Sequence, residues 1–195
     1  MIRRHLRIRA PWFLLLALCA ATAPALQAQK KNILDPRSLA PFVPTPQRVV
    51  EQMLQAAEVS KDDVVYDLGS GDGRVLFTAA ERFGARAVGV ELSQTLVEQT
   101  RRRIEELGLR DRVSVLHQHL LEADLKPATV VTVYLLTSSN TQLMPKLERE
   151  LNEGARVVSH DFQFMGWQAK RMIEVDGESR RHRIYLYQIG EHRKP

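Results

Sequence analysis

The sequence predicts one α/β domain, in which strands and helices alternate before an antiparallel hairpin closes the chain. Three observations carry this. Apolar β-branched runs alternate with helical stripes through most of the chain. A glycine-rich turn, Asp67-Leu68-Gly69-Ser70-Gly71-Asp72-Gly73, stands where the first strand passes into a helix. Near the C-terminus two short strand patterns flank Asp176-Gly177. A length of 195 residues suits one domain, and 44% hydrophobic residues supply a packed core.

The elements follow in order. Pro41-Phe42-Val43-Pro44-Thr45-Pro46 favours extended backbone up to Thr45, because a residue before proline is pushed out of the helical region. Thr45 then suits an N-cap and Pro46 the first helical position, ahead of a stripe at Val49, Val50, Met53, Leu54 and Ala57. Val64 and Val65 open the first strand, which ends in Asp67, and the glycine turn follows. A second stripe, Leu76, Ala79, Ala80 and Phe83, is closed by Gly84. The second strand, Ala87 to Val90, ends at Glu91. Ser93 is placed to cap a helix carrying Leu96, Val97, Ile104 and Leu107, stopped by Gly108, with Arg101 to Arg103 a solvated face.

Val113 to Leu116 is a third strand leading to His117-Gln118-His119. Ala128 to Leu136 is a fourth, continuous and apolar as expected of a strand covered on both faces. Ser139 and Asn140 fall in a loop, Leu143 to Leu151 in a helix stopped by Gly154, and Ala155 to Ser159 in strand five. Met172 to Val175 and Arg183 to Tyr187 pair as a hairpin, since Asp-Gly favours a tight two-residue turn.

The first 28 residues read as a targeting segment. Arg3, Arg4, Arg7 and Arg9 precede an apolar stretch from Pro11 to Ala23 and an Ala23-Pro24-Ala25 cleavage pattern. This is a bacterial secretory layout, which places the protein in the periplasm or cell envelope. An uncleaved leader would anchor it at the membrane, and a mitochondrial transit peptide is the eukaryotic alternative. Residues 29–40 read as a linker and 41–195 as the domain. Removing the leader's four arginines from the 28 basic residues leaves 24 against 23 acidic ones, a net +1. The body thus has no general electrostatic case for binding nucleic acid. The chain's only cysteine, Cys19, lies in the leader, so disulfides, zinc–thiolate sites and cysteine nucleophiles are excluded from the mature chain.

Function concentrates in the glycine turn. Glycines at every second position leave backbone open to a close ligand, and the helix N-terminus behind them presents free N–H groups. The dinucleotide fingerprint is G-x-G-x-x-G; here the third glycine comes one residue early. A carboxylate ending the next strand, Glu91, can take both hydroxyls of a ribose.

With Asp-x-Gly-x-Gly-x-Gly and the later acid in register, the chain resembles the class I S-adenosylmethionine (SAM) dependent methyltransferases. Phe-Val-Pro-Thr-Pro, Val-Gly-Val-Glu, and Val-Val-Ser-His-Asp-Phe with a later Gly-Trp narrow the likeness. They resemble small bacterial enzymes related to the mitochondrial lysine methyltransferase that modifies the ATP synthase c subunit, over roughly residues 41 to 190. The resemblance implies a Rossmann-like seven-stranded sheet whose last strand inserts antiparallel. It implies that Asp67, Gly69, Ser70, Gly71 and Gly73 hold the methionine part of SAM, Glu91 the ribose, and Leu92 the adenine. His119 stands where the family offers an Asp or Asn to the adenine amino group. Tyr134 would face the transferred methyl, and Asn140, Ser139, His160 or Asp161 would orient a substrate.

His160 and Asp161 are adjacent ligand types without a third partner, so no metal is expected. The Asp/Asn-Pro-Pro-Tyr motif of many base methyltransferases is missing after strand four, where Tyr134-Leu135-Leu136-Thr137 stands. The expected acceptor is therefore a protein, such as a lysine side chain, or a small molecule, and not nucleic acid. A non-catalytic SAM-binding or scaffold protein is the alternative, with a nicotinamide oxidoreductase a distant third.

Overall fold

The computed structural model describes residues 37–177 and 179–193. The leader and most of the expected linker lie outside them. No helix among the described residues is long and apolar enough to cross a membrane.

The elements are α1 (Gln47–Ala56), β1 (Val64–Leu68), α2 (Arg74–Phe83), β2 (Arg86–Glu91), α3 (Gln94–Glu106), β3 (Val113–His117), β4 (Val130–Val133), α4 (Thr137–Glu150), β5 (Arg156–His160), β6 (Arg171–Asp176) and β7 (Arg181–Gln188). They build a seven-stranded sheet ordered β3-β2-β1-β4-β5-β7-β6. The first five strands are parallel, and β7 runs antiparallel between β5 and β6. The chain order reverses at β1, between β2 and β4. Ligands of open α/β sheets bind at such a reversal, beyond the strands' C-terminal ends.

Alternation along the central strands sorts side chains into two cores. Val65, Ala87, Val113, Val130, Val158 and Ile184 pack with α1, α2 and α3. Tyr66, Val90, Val131, Val133, Val157 and Tyr187 pack on the other face, against Leu143 and Leu147 of α4. The helical stripes fall where the periodicity places them: Val49, Val50, Met53 and Leu54 of α1 and Leu76, Ala79 and Ala80 of α2 are all buried. Each of the Val, Leu and Met side chains among them contributes about 1.5–3 kcal/mol of transfer free energy when fully buried. At the N-terminal edge of the sheet, Asp63 accepts hydrogen bonds from the Thr129 hydroxyl at 2.7 Å and the Ser60 N–H at 2.8 Å, and pairs with Arg156.

Four local expectations are corrected. Strand β4 stops at Val133, because its partner β1 ends at Leu68 and the two residues are paired in register. Leu136 is then the exposed N-cap of α4, so Ser139 and Asn140 belong to that helix and not to a loop. Pro46 itself is the N-cap of α1, and the Thr45 hydroxyl turns to His160 Nδ1 at 3.2 Å. The hairpin is not a two-residue turn: Asp176 pairs with Arg181, leaving four residues between the strands. Gly177 is needed there for space, since a Cβ would stand 2.6 Å from the His182 ring.

Candidate functional site: a cofactor cavity at the sheet reversal

The glycine turn folds back over the end of β2. The N–H groups of Gly69 and Ser70 both donate to Val90 O, at 2.8 and 3.1 Å. Gly69, Gly71 and Gly73 have φ of 85°, 55° and 78°, so all three occupy the left-handed region that other residues avoid. Two of them also answer close approaches. A Cβ on Gly71 would lie 2.4 Å from the Phe42 ring, and one on Gly73 would lie 2.9 Å from Phe77.

Glu91 fastens this turn from below. Its Oε2 accepts the Gly71 N–H and its Oε1 the Ser93 N–H, each at 2.8 Å. A carboxylate has about four acceptor positions, so each oxygen keeps one for a ligand hydroxyl. Ser93 stands at the N-cap of α3, yet its side chain makes no cap bond.

Beside this turn lies a cavity of about 290 Å³, walled by Asp67, Gly69, Gly71, Glu91, Leu92 and His119, whereas Gly73 does not line it. The segment from Arg37 to Thr45 straps across it. Arg37 O accepts from His119 Nε2 at 3.0 Å, Leu39 O accepts from the Ser139 hydroxyl, and Thr45 O accepts from Arg74 Nη1 at 2.6 Å. Packed residues therefore begin before 41, inside what reads as linker.

Asp67 is the strongest electrostatic feature of the cavity. Burial pushes its carboxyl up to about 7, against the pull of the Thr132 hydroxyl and with help from the charges of Glu91 and Asp72. That hydroxyl donates to Asp67 at 2.7 Å. An ionised carboxylate held this unfavourably is a receptor for a cation.

The other expected site residues divide. Ser70 lines the cavity, but its hydroxyl is buried against Gly89 without a hydrogen-bond partner. His119 lines the cavity with both ring nitrogens engaged, since Nδ1 accepts the Leu121 N–H at 3.2 Å while Nε2 donates to Arg37 O. The lone pair expected to meet the adenine is thus already used. Asn140 is wholly buried and donates to Phe162 O at 2.9 Å, lining neither this cavity nor the hollow beside it. It braces the chain after β5, and the expectation that it touches substrate is corrected.

Tyr134 borders both the cofactor cavity and that second hollow, which Asp161, Phe162, Glu174, Arg180, Arg181 and Arg183 complete. Its ring lies 3.9 Å from that of His160, and its hydroxyl accepts from Arg180 Nη2 at 3.2 Å. The third partner missing from the sequence reading is present: His160, Asp161 and His182 converge within 4.8 Å. His160 and His182 already hydrogen-bond at 2.8 Å, and the Arg180 guanidinium supplies the positive charge on Asp161.

Thr132, Arg180 and His182 escaped the sequence reading. Only Thr132 left a signal, as a hydroxyl within a largely apolar strand.

A family model described as the ANTKMT methyltransferase domain matches residues 67–171, from the buried Asp67 to the start of β6. The chain belongs to this methyltransferase family. A protein-lysine N-methyltransferase of Saccharolobus islandicus is 49% identical over 78% of this chain and 96% of its own length. The human lysine N-methyltransferase of the ATP synthase c subunit is 32% identical over 80% of this chain and 67% of its own. A solved structure described as an RNA methyltransferase from Salinibacter ruber, in complex with S-adenosyl-L-homocysteine (SAH), is 46% identical with a TM-score of 0.70, covering 75% of this chain and 94% of that one.

The cofactor of this methyltransferase is SAM, and the site fits it. The glycine cradle would admit the ligand, Glu91 would suit a ribose, and Asp67 would meet positive charge. When bound, SAM supplies a methyl group and a thioether leaving group. The chain contributes alignment and exclusion of water, through the strap, the cradle and the apolar walls.

Proposed function

We propose that this methyltransferase modifies a lysine side chain of a protein. The observation that carries the reading is the acceptor end of the cavity, where Tyr134 presents a single neutral hydroxyl. Burial raises its pKa, chiefly by desolvation and then by the charge of Asp161. A phenol can orient an amine by accepting one of its N–H groups. The relatives described as lysine methyltransferases point the same way.

RNA is the second reading, favoured by the description of the Salinibacter structure. Against it stand the net charge near zero of the mature body and the missing Asp/Asn-Pro-Pro-Tyr. A non-catalytic scaffold is not favoured, because the family and relatives are methyltransferases.

The test incubates the purified protein and methyl-labelled SAM with total protein extract, with ribonuclease or protease added in separate arms. Label recovered as methyllysine after acid hydrolysis is expected. Label that ribonuclease removes would establish the RNA reading instead.

Residues 1–28 we take as an export signal, supported by Arg3 to Arg9, the apolar stretch and Ala23-Pro24-Ala25. Envelope fractionation with N-terminal sequencing is expected to find a shortened chain in the periplasm. A full-length chain in the cytosol would refute this.

A further inference from the structure

Beside the cofactor cavity, Asp161 is built unusually. It has φ 61°, a left-handed conformation that costs a non-glycine residue about 1–2 kcal/mol. Its N–H donates to Arg183 O at 2.7 Å and its Oδ1 accepts the Arg183 N–H at 2.9 Å, so β7 holds it in place. Oδ2 then faces three groups. Arg180 pairs with it, and His160 Nε2 and His182 Nδ1 approach to 3.3 and 3.4 Å. Arg180 Nη2 also donates to the Tyr134 oxygen at 3.2 Å.

Arg180 has no acceptor atoms, so it takes one lone pair of the Tyr134 oxygen and leaves the other. We propose that Arg180, anchored on Asp161, clamps the Tyr134 hydroxyl so that this second lone pair accepts an N–H of the incoming amine, which makes the hairpin-loop Arg180 a positioning residue for methyl transfer. With its N–H held there, the amine turns its lone pair toward the cofactor cavity. This rests on the lysine reading above.

The test is a double-mutant cycle on the full chain, reading initial rates of methyllysine formation with the ribonuclease-treated extract at saturating SAM. Loss of alignment makes Tyr134→Phe slower by about 10- to 100-fold and Arg180→Gln by about tenfold. Because both act through one hydroxyl, the combined variant should be no slower than Tyr134→Phe alone. Arg180→Lys, which still donates, should recover part of the rate. SAH affinity of the Arg180 variants should not move, since Arg180 does not line the cofactor cavity.

Arg180→Gln slowing the Tyr134→Phe background by the same factor as wild type would show that it acts elsewhere and overturn the clamp. So would a wild-type rate in either single variant. Absence of methyllysine with the wild-type protein would instead overturn the underlying lysine reading.

Discussion

Each oxygen of Glu91 accepts one backbone N–H, so this single side chain both shapes the glycine turn and faces the ligand. Glu91→Ala removes both functions. Charge-assisted hydrogen bonds contribute about 1.5–3 kcal/mol each, so calorimetry should show SAH affinity falling by at least roughly tenfold. Asp67 is a different case, because its carboxyl is raised to about 7 in the folded state against 3.8 for the free group. Its stabilisation of the unliganded fold is complete below pH 3.8 and is lost as pH rises through 7. Asp67→Asn should therefore gain on the wild type in unfolding free energy as pH rises over that range. SAM affinity should behave oppositely, climbing with pH toward 7 in the wild type and staying flat in the variant. A variant that tracks the wild type at every pH would show that Asp67 does not titrate there.

At the scale of elements, the strand-to-helix turn and the packing of α4 make contrasting demands. Gly71→Ala must place a Cβ in left-handed backbone, 2.4 Å from the Phe42 ring. Phe42 is 40% exposed and free to swing outward, so the stability cost stays near the backbone's about 1–2 kcal/mol. The cavity's cover is displaced, and SAH binding should fall much further than the thermal midpoint. Leu147 of α4 is fully buried, and Leu147→Ala should cost about 2–5 kcal/mol in denaturant unfolding. At the cap of the same helix Leu136 is 43% exposed, and Leu136→Ala should stay within about 0.5 kcal/mol.

These elements also show what a sequence can announce. Periodicity located every strand and helix from α1 to β7, because each buries one face and the burial writes itself into the residue pattern. It overran β4, since Tyr134, Leu135 and Leu136 are as apolar as the strand they follow; where β1 ends is what stops it. It missed Arg180 and His182 because they reach Asp161 from the hairpin loop and from the neighbouring strand β7, a juxtaposition no local pattern records.

For the whole molecule, acid should unfold the protein in two stages. His160 is held down to about 4, by burial first and by the nearby His182 and Arg180 charges, against the pull of Asp161. Its contribution is complete above pH 6.5 and is lost as pH falls to about 4. Asp161 is lowered to about 2 despite burial, by hydrogen bonds from Arg180 and the Arg183 N–H. Asp63 is also lowered, its burial outweighed by Thr129, Ser60 and Arg156. These carboxylates add stability above pH 3.8 that disappears as pH falls toward 2. In a series of thermal scans, His160→Gln should flatten the stage between pH 6.5 and 4 and leave the later one.

The strap from Arg37 to Thr45 has a bearing on time as well as affinity. Its bonds to His119, Ser139 and Arg74 hold it over the cavity, so a cofactor bound beneath would leave only when some of them open. Residence time, and with it the ceiling on turnover, is then set by a stretch of chain that continues directly into residues 1–36. Ser139→Ala, which frees Leu39 O, should speed SAH association and release together in stopped-flow measurements and leave their ratio nearly constant. Whatever grips the chain ahead of Arg37 would pull on the same closure, coupling where the protein is held to how fast it recycles its cofactor.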